Sequence, residues 1–297
     1  MRDKLRVVAT CTTLPDRYST LVRTLECLHK QDVKLDAIYV TIPYVAKRLN
    51  KKYPPITEDM NRLATVIRLK EDYGPLCKLY GALVNERDPN TVIISVDDDC
   101  IYPPNLVSVL LDYHKLEPNV AICGTGALLK NGTWFSSINT NVEHLNRNIC
   151  GFNVPNKGRY IDLIHGFVGV LYKRSFFPHK RHLYDELYKY PLMDYSIFCH
   201  DDVIISGYLK KSHIKMMTFN NIPSIIADVK NEDALSYNFF EMLYKFNKSI
   251  LLLKEHGMFL TYENTCISES PTYRVILFVA IIFFIILFIY VIYMKWL

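Results

Sequence analysis

The chain has 297 residues, a formal net charge of +5, and apolar residues at half of its positions. The high apolar content argues against intrinsic disorder, and the scattered Lys and Arg residues argue against a nucleic-acid binder. The eight Cys residues include no C-x-x-C pair, so the pattern indicates neither a zinc knuckle nor a disulfide framework and favours free thiols in a reducing compartment.

The first half of the sequence alternates short apolar runs with amphipathic stretches. Its predicted elements in chain order are strand 6–13, helix 18–30, strand 37–43, strand 64–69, helix 76–87 and strand 92–96. The last of these reads VIISV, which is typical of a strand buried on both faces. This alternation predicts an α/β fold with a mostly parallel sheet flanked by helices.

The second half of the sequence is less regular. Its predicted elements are strand 120–129, strand 166–172, helix 201–211, strand 214–219 and helix 237–256. Together with the first half, these elements predict one domain over residues 1–260, followed by a polar linker over residues 261–274.

Residues 275–294 form a run of twenty residues without charge, Pro or Gly. Because about twenty apolar residues in a helix span the hydrocarbon core of a bilayer, this run predicts one transmembrane helix. Tyr273 and Trp296 near its ends are typical interfacial anchors. Since no targeting segment precedes the domain, we expect a single-pass, tail-anchored protein with the domain over residues 1–260 in the cytosol.

Three consecutive carboxylates, Asp97, Asp98 and Asp99, follow the apolar strand 92–96 directly. Like charges placed this close repel one another unless a cation lies among them. The carboxyl ends of strands are also where open α/β sheets bind ligands, and carboxylate oxygens suit Mg²⁺ or Mn²⁺. The triplet therefore predicts a divalent-metal site, with a solvated acidic turn as the alternative.

With this triplet the sequence resembles the GT-A glycosyltransferases, in which an Asp-x-Asp motif ends a central strand. Segment 12–17, TTLPDR, resembles the loop that lies against the nucleotide, and segment 72–78, DYGPLCK, resembles the one that leads to a basic residue near the donor. Segment 199–206, CHDDVIIS, resembles the later acidic motif of family-2-like and exostosin-like members. The resemblance covers about residues 5 to 240.

For the triplet, the resemblance implies that Asp99 binds the metal directly. Asp97 would assist through the metal or the nucleoside, and Asp98 would hydrogen-bond the ribose. The cofactor would be Mn²⁺ or Mg²⁺, and the donor a nucleotide sugar, with a UDP-sugar favoured.

For the other segments, the resemblance implies that Thr13 and Arg17 line the nucleotide site and that Lys78 offsets phosphate charge. As alternatives, Arg17 and Lys78 are surface cations and Thr13 is a turn residue. Asp201 or Asp202 would act in catalysis as the general base for the acceptor hydroxyl. Because this chain has His-Asp-Asp where many members have Glu-Asp, the choice between them stays open. Capping and dipole compensation at a helix start are the alternative for both.

These features predict a metal-dependent glycosyltransferase that moves a sugar from a nucleotide diphosphate to a hydroxyl of a glycan, lipid or protein. A nucleotidyltransferase is the alternative enzyme class, although segment 12–17 lacks the Gly residues of a phosphate loop. The non-enzymatic alternative is a catalytically inactive interaction module tethered to the membrane.

Overall fold

A mixed β-sheet with helices on both faces forms the centre of the fold. The computed structural model describes residues 5–130, 133–139, 158–219, 222–223, 225–227 and 239–259. The predicted linker and the predicted transmembrane helix lie outside these residues. Within them, no helix has both the length and the apolar character needed to cross a bilayer.

The strands and helices of the described residues have the following bounds. The strands are β1 (Val7–Cys11), β2 (Ala37–Pro43), β3 (Val45–Ala46), β4 (Lys51–Lys52), β5 (Thr65–Leu69), β6 (Val92–Ser95), β7 (Cys100–Ile101), β8 (Val120–Lys130), β9 (Thr133–Asn139), β10 (Arg159–Tyr160), β11 (Leu163–Lys173), β12 (Lys215–Thr218) and β13 (Ile226–Ala227). The α-helices are α1 (Tyr18–His29), α2 (Glu58–Leu63), α3 (Cys77–Asn85), α4 (Leu106–Leu116), α5 (Tyr195–Phe198), α6 (Asp201–Lys211) and α7 (Phe239–Lys254). Short 3-10 or π turns cover Pro15–Arg17, Gly74–Leu76, Arg174–Phe176, Lys180–His182, Tyr184–Tyr188 and Tyr190–Leu192.

In the described part of the chain, nine strands form the main sheet in the order β10-β12-β8-β11-β6-β1-β2-β5, with β9 beside β8. Six of these nine, β1, β2, β5, β6, β8 and β12, run in one direction, and the other three run against them. The predicted α/β class with a mostly parallel sheet flanked by helices is confirmed.

Strand β1 lies at a point where the topology of the sheet reverses. The chain leaves β1 on one side to form β2 and later returns on the other side to form β6, and both pairings are parallel. A crevice opens outside the carboxyl ends of two strands at such a point, and open α/β sheets bind their ligands there. The fold therefore places the loops that follow β1 and β6 at one shared edge.

The helices cover the sheet in two layers. Leucines of α1 and α4 pack with Val7, Ala9, Val92 and Ile94 on one face. Helices α3 and α6 pack on the other face, against β2 and β11 respectively. Gly81 of α3 allows this approach, because a Cβ there would lie 2.7 Å from the Thr41 hydroxyl oxygen.

Three features of the fold differ from or add to the sequence expectations. Several elements were not predicted: helices α2, α4 and α5, strand β9 and the two-residue strands β3, β4, β7, β10 and β13. Strand β11 is longer than the predicted strand 166–172, and it runs antiparallel between β6 and β8. A bulge interrupts its pairing with β8 between His165 and Val170, where Gly169 has a φ of +97°.

Candidate active site at the carboxyl edge of the sheet

The residues that the sequence singled out converge at the carboxyl edge of β1 and β6. Thr13 and Arg17 follow β1, the Asp97–Asp99 triplet follows β6, and Lys78 lies in the first turn of α3. Asp201 and Asp202 form the first turn of α6, which packs against β11 beside β6. We call the three Asp residues of the triplet together with these two the site carboxylates.

Asp98 is the buried member of the triplet. Its Oδ2 accepts a 2.5 Å hydrogen bond from the Thr13 hydroxyl, and its Oδ1 lies 3.4 Å from Nη1 of Arg17. The same guanidinium nitrogen lies 3.1 Å from Oδ2 of Asp99. Burial raises the pKa of Asp98 to about 6, although Arg17 and Thr13 act to lower it. Arg17 therefore forms ion pairs with two adjacent carboxylates.

Backbone contacts hold this part of the site in place. The Thr24 hydroxyl on α1 lies 3.0 Å from the carbonyl oxygens of both Asp98 and Cys100, on either side of Asp99. The Tyr53 hydroxyl donates a 2.7 Å hydrogen bond to the carbonyl oxygen of Thr13. Because neighbouring elements fix both loops, the positions of the carboxylates are set before any ligand binds.

Lys78 is a buried cation surrounded by carboxylates. Its Nζ donates a 2.7 Å hydrogen bond to Oδ1 of Asp97 and lies 2.9 Å from Oδ2 of Asp201. The second contact is an ion pair without the alignment of a hydrogen bond, so Oδ2 of Asp201 has no hydrogen-bond partner in the described residues. Burial works against the charge of Lys78, but Asp201, Asp97 and Asp202 outweigh it and raise the pKa of Lys78 well above its usual value.

Asp202 connects α6 to the bulged part of β11. Its Oδ2 accepts a 2.9 Å hydrogen bond from the backbone N–H of Gly166. A Cβ at Gly166 would lie 2.8 Å from Oδ1 of Asp202 and 3.4 Å from Nζ of Lys78, so a larger residue does not fit beside this pair. Burial and then repulsion from Asp201 raise the pKa of Asp202 well above its usual value, against the opposing effects of Lys78 and the Gly166 N–H.

Tyr102 is a site residue that no sequence signal pointed to. Its hydroxyl accepts a 2.9 Å hydrogen bond from the backbone N–H of Asp97 and donates one of 2.9 Å to the carbonyl oxygen of Phe167. It thereby ties the triplet to β11, next to Gly166. A single Tyr three residues after the triplet carries no recognisable pattern, which explains why sequence reasoning missed it.

The structure decides between some of the alternatives left open by the sequence. Arg17 and Lys78 are buried and paired with carboxylates, so neither is a surface cation. Thr13 does more than form a turn, because its hydroxyl binds Asp98. Asp201 and Asp202 do lie in the first turn of α6, so they also offset its dipole.

Two of the site carboxylates suit the predicted divalent metal. In the part of the chain that the structure describes, no three His, Cys, Asp or Glu side chains are grouped to hold a metal ion. However, Mg²⁺-type sites that bind substrate phosphates need only one or two carboxylates. Asp97 and Asp99 suit that role, because 31% and 27% of their side chains are exposed and their hard oxygen atoms are the preferred donors.

Comparison of the chain with protein-family models and with curated proteins finds no match.

Proposed function

We propose that the protein is a metal-dependent glycosyltransferase with a GT-A-like fold that uses a nucleotide-sugar donor, with a UDP-sugar favoured. One observation carries the proposal. The acidic triplet after β6, the Thr13 loop after β1 and the acidic start of α6 meet at the topological switch point of the sheet. Residues far apart in sequence, each singled out by its own motif, thus form one contiguous polar site where α/β sheets bind nucleotides.

The loops after β1 and β6 would bind the donor. Arg17 is a buried cation in contact with Asp98 and Asp99, and it would face the charged diphosphate. Asp98, held by Thr13, would accept a hydrogen bond from a ribose hydroxyl. Asp97 and Asp99 would hold Mn²⁺ or Mg²⁺, which when bound neutralises the diphosphate as it departs.

Asp202 is the better candidate for the general base. Asp201 is buried, and its contact with Lys78 makes it the fixed counter-ion of that cation. Asp202 keeps partial exposure and a raised pKa, which makes it a stronger base once it is ionised. In the proposed reaction Asp202 takes the proton of the acceptor hydroxyl, the hydroxyl oxygen bonds to the anomeric carbon, and the bond from that carbon to the diphosphate breaks.

A donor screen tests the proposal. The purified full chain in detergent is incubated with UDP-, GDP-, CMP- and TDP-sugars, and nucleotide release is measured with Mn²⁺ and with EDTA. We expect release from one donor that needs the metal and is abolished in Asp99→Asn and in Asp202→Asn. Asp112→Asn is the matched control, because Asp112 forms an exposed ion pair with Lys115 on α4 and the variant should keep full activity.

The variants also separate the rival functions. Turnover by Asp99→Asn at the rate of the parent would contradict the metal assignment. Equal losses in Asp201→Asn and Asp202→Asn would contradict the assignment of Asp202 as the base. Absence of release from every donor, combined with no metal-dependent nucleotide binding by calorimetry, would favour an inactive interaction module.

The membrane association is part of the proposal as well. The apolar run at 275–294 would anchor the protein in a membrane as a single-pass helix, with the catalytic domain on the cytosolic side. Alkaline carbonate extraction tests it: the full chain should stay in the membrane pellet, and a chain that ends before residue 275 should not.

A further inference from the structure

Five apolar or aromatic residues stand exposed around α7, outside the candidate active site. Leu192, Met193 and Tyr195 precede or begin α5, and Tyr244 and Leu251 belong to α7. Between 40% and 69% of each residue is exposed. We call these five residues the α7 patch. Contiguous exposed apolar surface on a domain marks a place where something else binds.

Two contacts place the start of α5 beside the middle of α7. Nζ of Lys245 lies 5.0 Å from the centre of the Tyr195 ring, in a cation–π contact. One position earlier, Asp194 forms a 2.8 Å ion pair with Lys248, one turn further along α7. The chain before α5 therefore runs along α7 in the direction opposite to the helix.

A third contact extends this alignment to the end of α7. The Tyr190 ring meets the His256 ring edge-on, with the ring centres 5.5 Å apart. Leu192 and Met193 follow Tyr190, so they lie level with the last turns of α7, where Leu251 is exposed. The two segments that carry the exposed side chains thus lie side by side.

The α7 part of the patch lies on one face of the helix. Tyr244, Lys248 and Leu251 are spaced by four and three residues, which places them one above another. An apolar and aromatic stripe with a Lys between its members has the composition of a membrane–water interface, where Tyr side chains act as anchors and Lys stems lie along apolar surface. The core of a protein–protein interface, by contrast, is depleted in Lys.

The sequence beyond α7 makes a bilayer an accessible partner. Helix α7 ends at Lys254, and the apolar run begins at residue 275, so residues 255–274 connect them. The two Lys residues next to the patch already have acidic partners, Lys248 with Asp194 and Lys245 with Glu241. Attraction to this surface is therefore expected to come from its apolar side chains rather than from net charge.

We propose that the α7 patch is a lipid-contacting surface through which the domain lies against the headgroup region of the membrane. This surface is separate from the site carboxylates and does not depend on the proposed sugar transfer. Because Lys245 and Lys248 beside it are paired with acidic residues, we expect it to bind phosphatidylcholine without anionic lipid.

Fluorescence quenching in vesicles tests the proposal. The full chain carrying Tyr244→Trp or Leu251→Trp is reconstituted into phosphatidylcholine vesicles with and without bromine on the upper acyl carbons. The parent, which has two Trp residues, gives the baseline. Leu116→Trp is the matched control, since Leu116 is 72% exposed and ends α4 on the opposite face of the sheet.

We expect bromine to quench the added fluorescence about two-fold at positions 244 and 251 and not at 116, because interfacial side chains bury about 5–10 Å into the headgroup region. Quenching no greater than at position 116 would overturn the proposal. A second outcome would also overturn it: no quenching at 244 and 251, together with crosslinks between chains through a Cys introduced at 251. That result would show that a second copy of the chain covers the patch.

A measurement on the unsubstituted chain covers the case of a variant that does not fold. Phosphatidylcholine carrying a diazirine near its headgroup is photolysed in the same vesicles, and labelled peptides are located by mass spectrometry. Label in residues 190–195 and 239–254 supports the proposal. Label confined to residues 275–294 contradicts it.

Discussion

Replacing Lys78 by Met tests whether one buried cation holds the site together. The change keeps the length and the apolar stem of the side chain but leaves Asp97 and Asp201 without their shared counter-charge, 2.7 and 2.9 Å away. Removing one partner of a buried ion pair costs about 3–5 kcal/mol. Since 31% of the Asp97 side chain is exposed and water can solvate it, we expect a loss of about 3 kcal/mol in the free energy of unfolding at pH 8.

The loss should depend on pH through Asp202. Lys78 lowers the pKa of this carboxyl, which burial has already raised, so the variant raises it further. A group whose folded pKa lies above its unfolded value stabilises the fold at low pH and loses that contribution as the pH rises through the folded pKa. The destabilisation should therefore be smaller at pH 5.5 than at pH 8.

Urea unfolding of the full chain in detergent, followed by near-ultraviolet circular dichroism at both pH values, measures the effect. Lys115→Met is the control: Lys115 pairs with Asp112, their side chains are 73% and 70% exposed, and its loss should cost at most about 0.5 kcal/mol. A Lys78→Met effect as small as this control, or one that does not change with pH, would refute the reasoning.

Three further variants probe neighbouring features. Gly166→Ala should destabilise the fold by about 1–3 kcal/mol by overpacking against Asp202, with a larger relative loss of nucleotide release, as urea unfolding and the donor screen will show. Glu86→Gln should lower the free energy of unfolding by about 1.5–3 kcal/mol at pH 7. Burial raises the pKa of Glu86, but hydrogen bonds from Arg6 and Tyr39 outweigh it and lower the pKa. Urea unfolding near pH 3 should therefore show a smaller difference between the variant and the parent. Asp98→Asn should make the urea midpoint depend less on pH between pH 5 and 7.5. In the parent, the Asp98 carboxyl has a pKa of about 6, and it loses its stabilising contribution as the pH rises through that value.

The sequence predicts the parallel half of the fold well, because its strands are short apolar runs bounded by turns. The runs at 37–43 and 92–96 correspond to β2 and β6, and the triplet lies at the end of β6 as expected. Helix α4 was overlooked, although Leu106, Leu110 and His114 are spaced by four residues and buried. That signal was available and was obscured by the loop-like Pro-Pro-Asn that precedes it.

The antiparallel position of β11 could not be predicted in the same way. An apolar run indicates a strand, but it does not indicate which strand will pair with it or in which direction. The contact between Asp202 and Gly166 depends on that placement, because β11 must lie next to β6 before α6 can reach the site. Sequence motifs thus indicated which residues matter, and tertiary pairing decides which of them touch.

The division of the triplet between two cations explains how three adjacent carboxylates are accommodated. Consecutive side chains in the turn after β6 point to different partners: Asp97 to Lys78, Asp98 to Thr13, and both Asp98 and Asp99 to Arg17. With five site carboxylates and two cations, the described site carries a formal charge of −3 when all of them are ionised. A proton on Asp202 or a bound divalent cation makes the site less negative. Each therefore weakens the binding of the other. A site of this kind should therefore bind Mn²⁺ more tightly as the pH rises, and that dependence should weaken in Asp202→Asn.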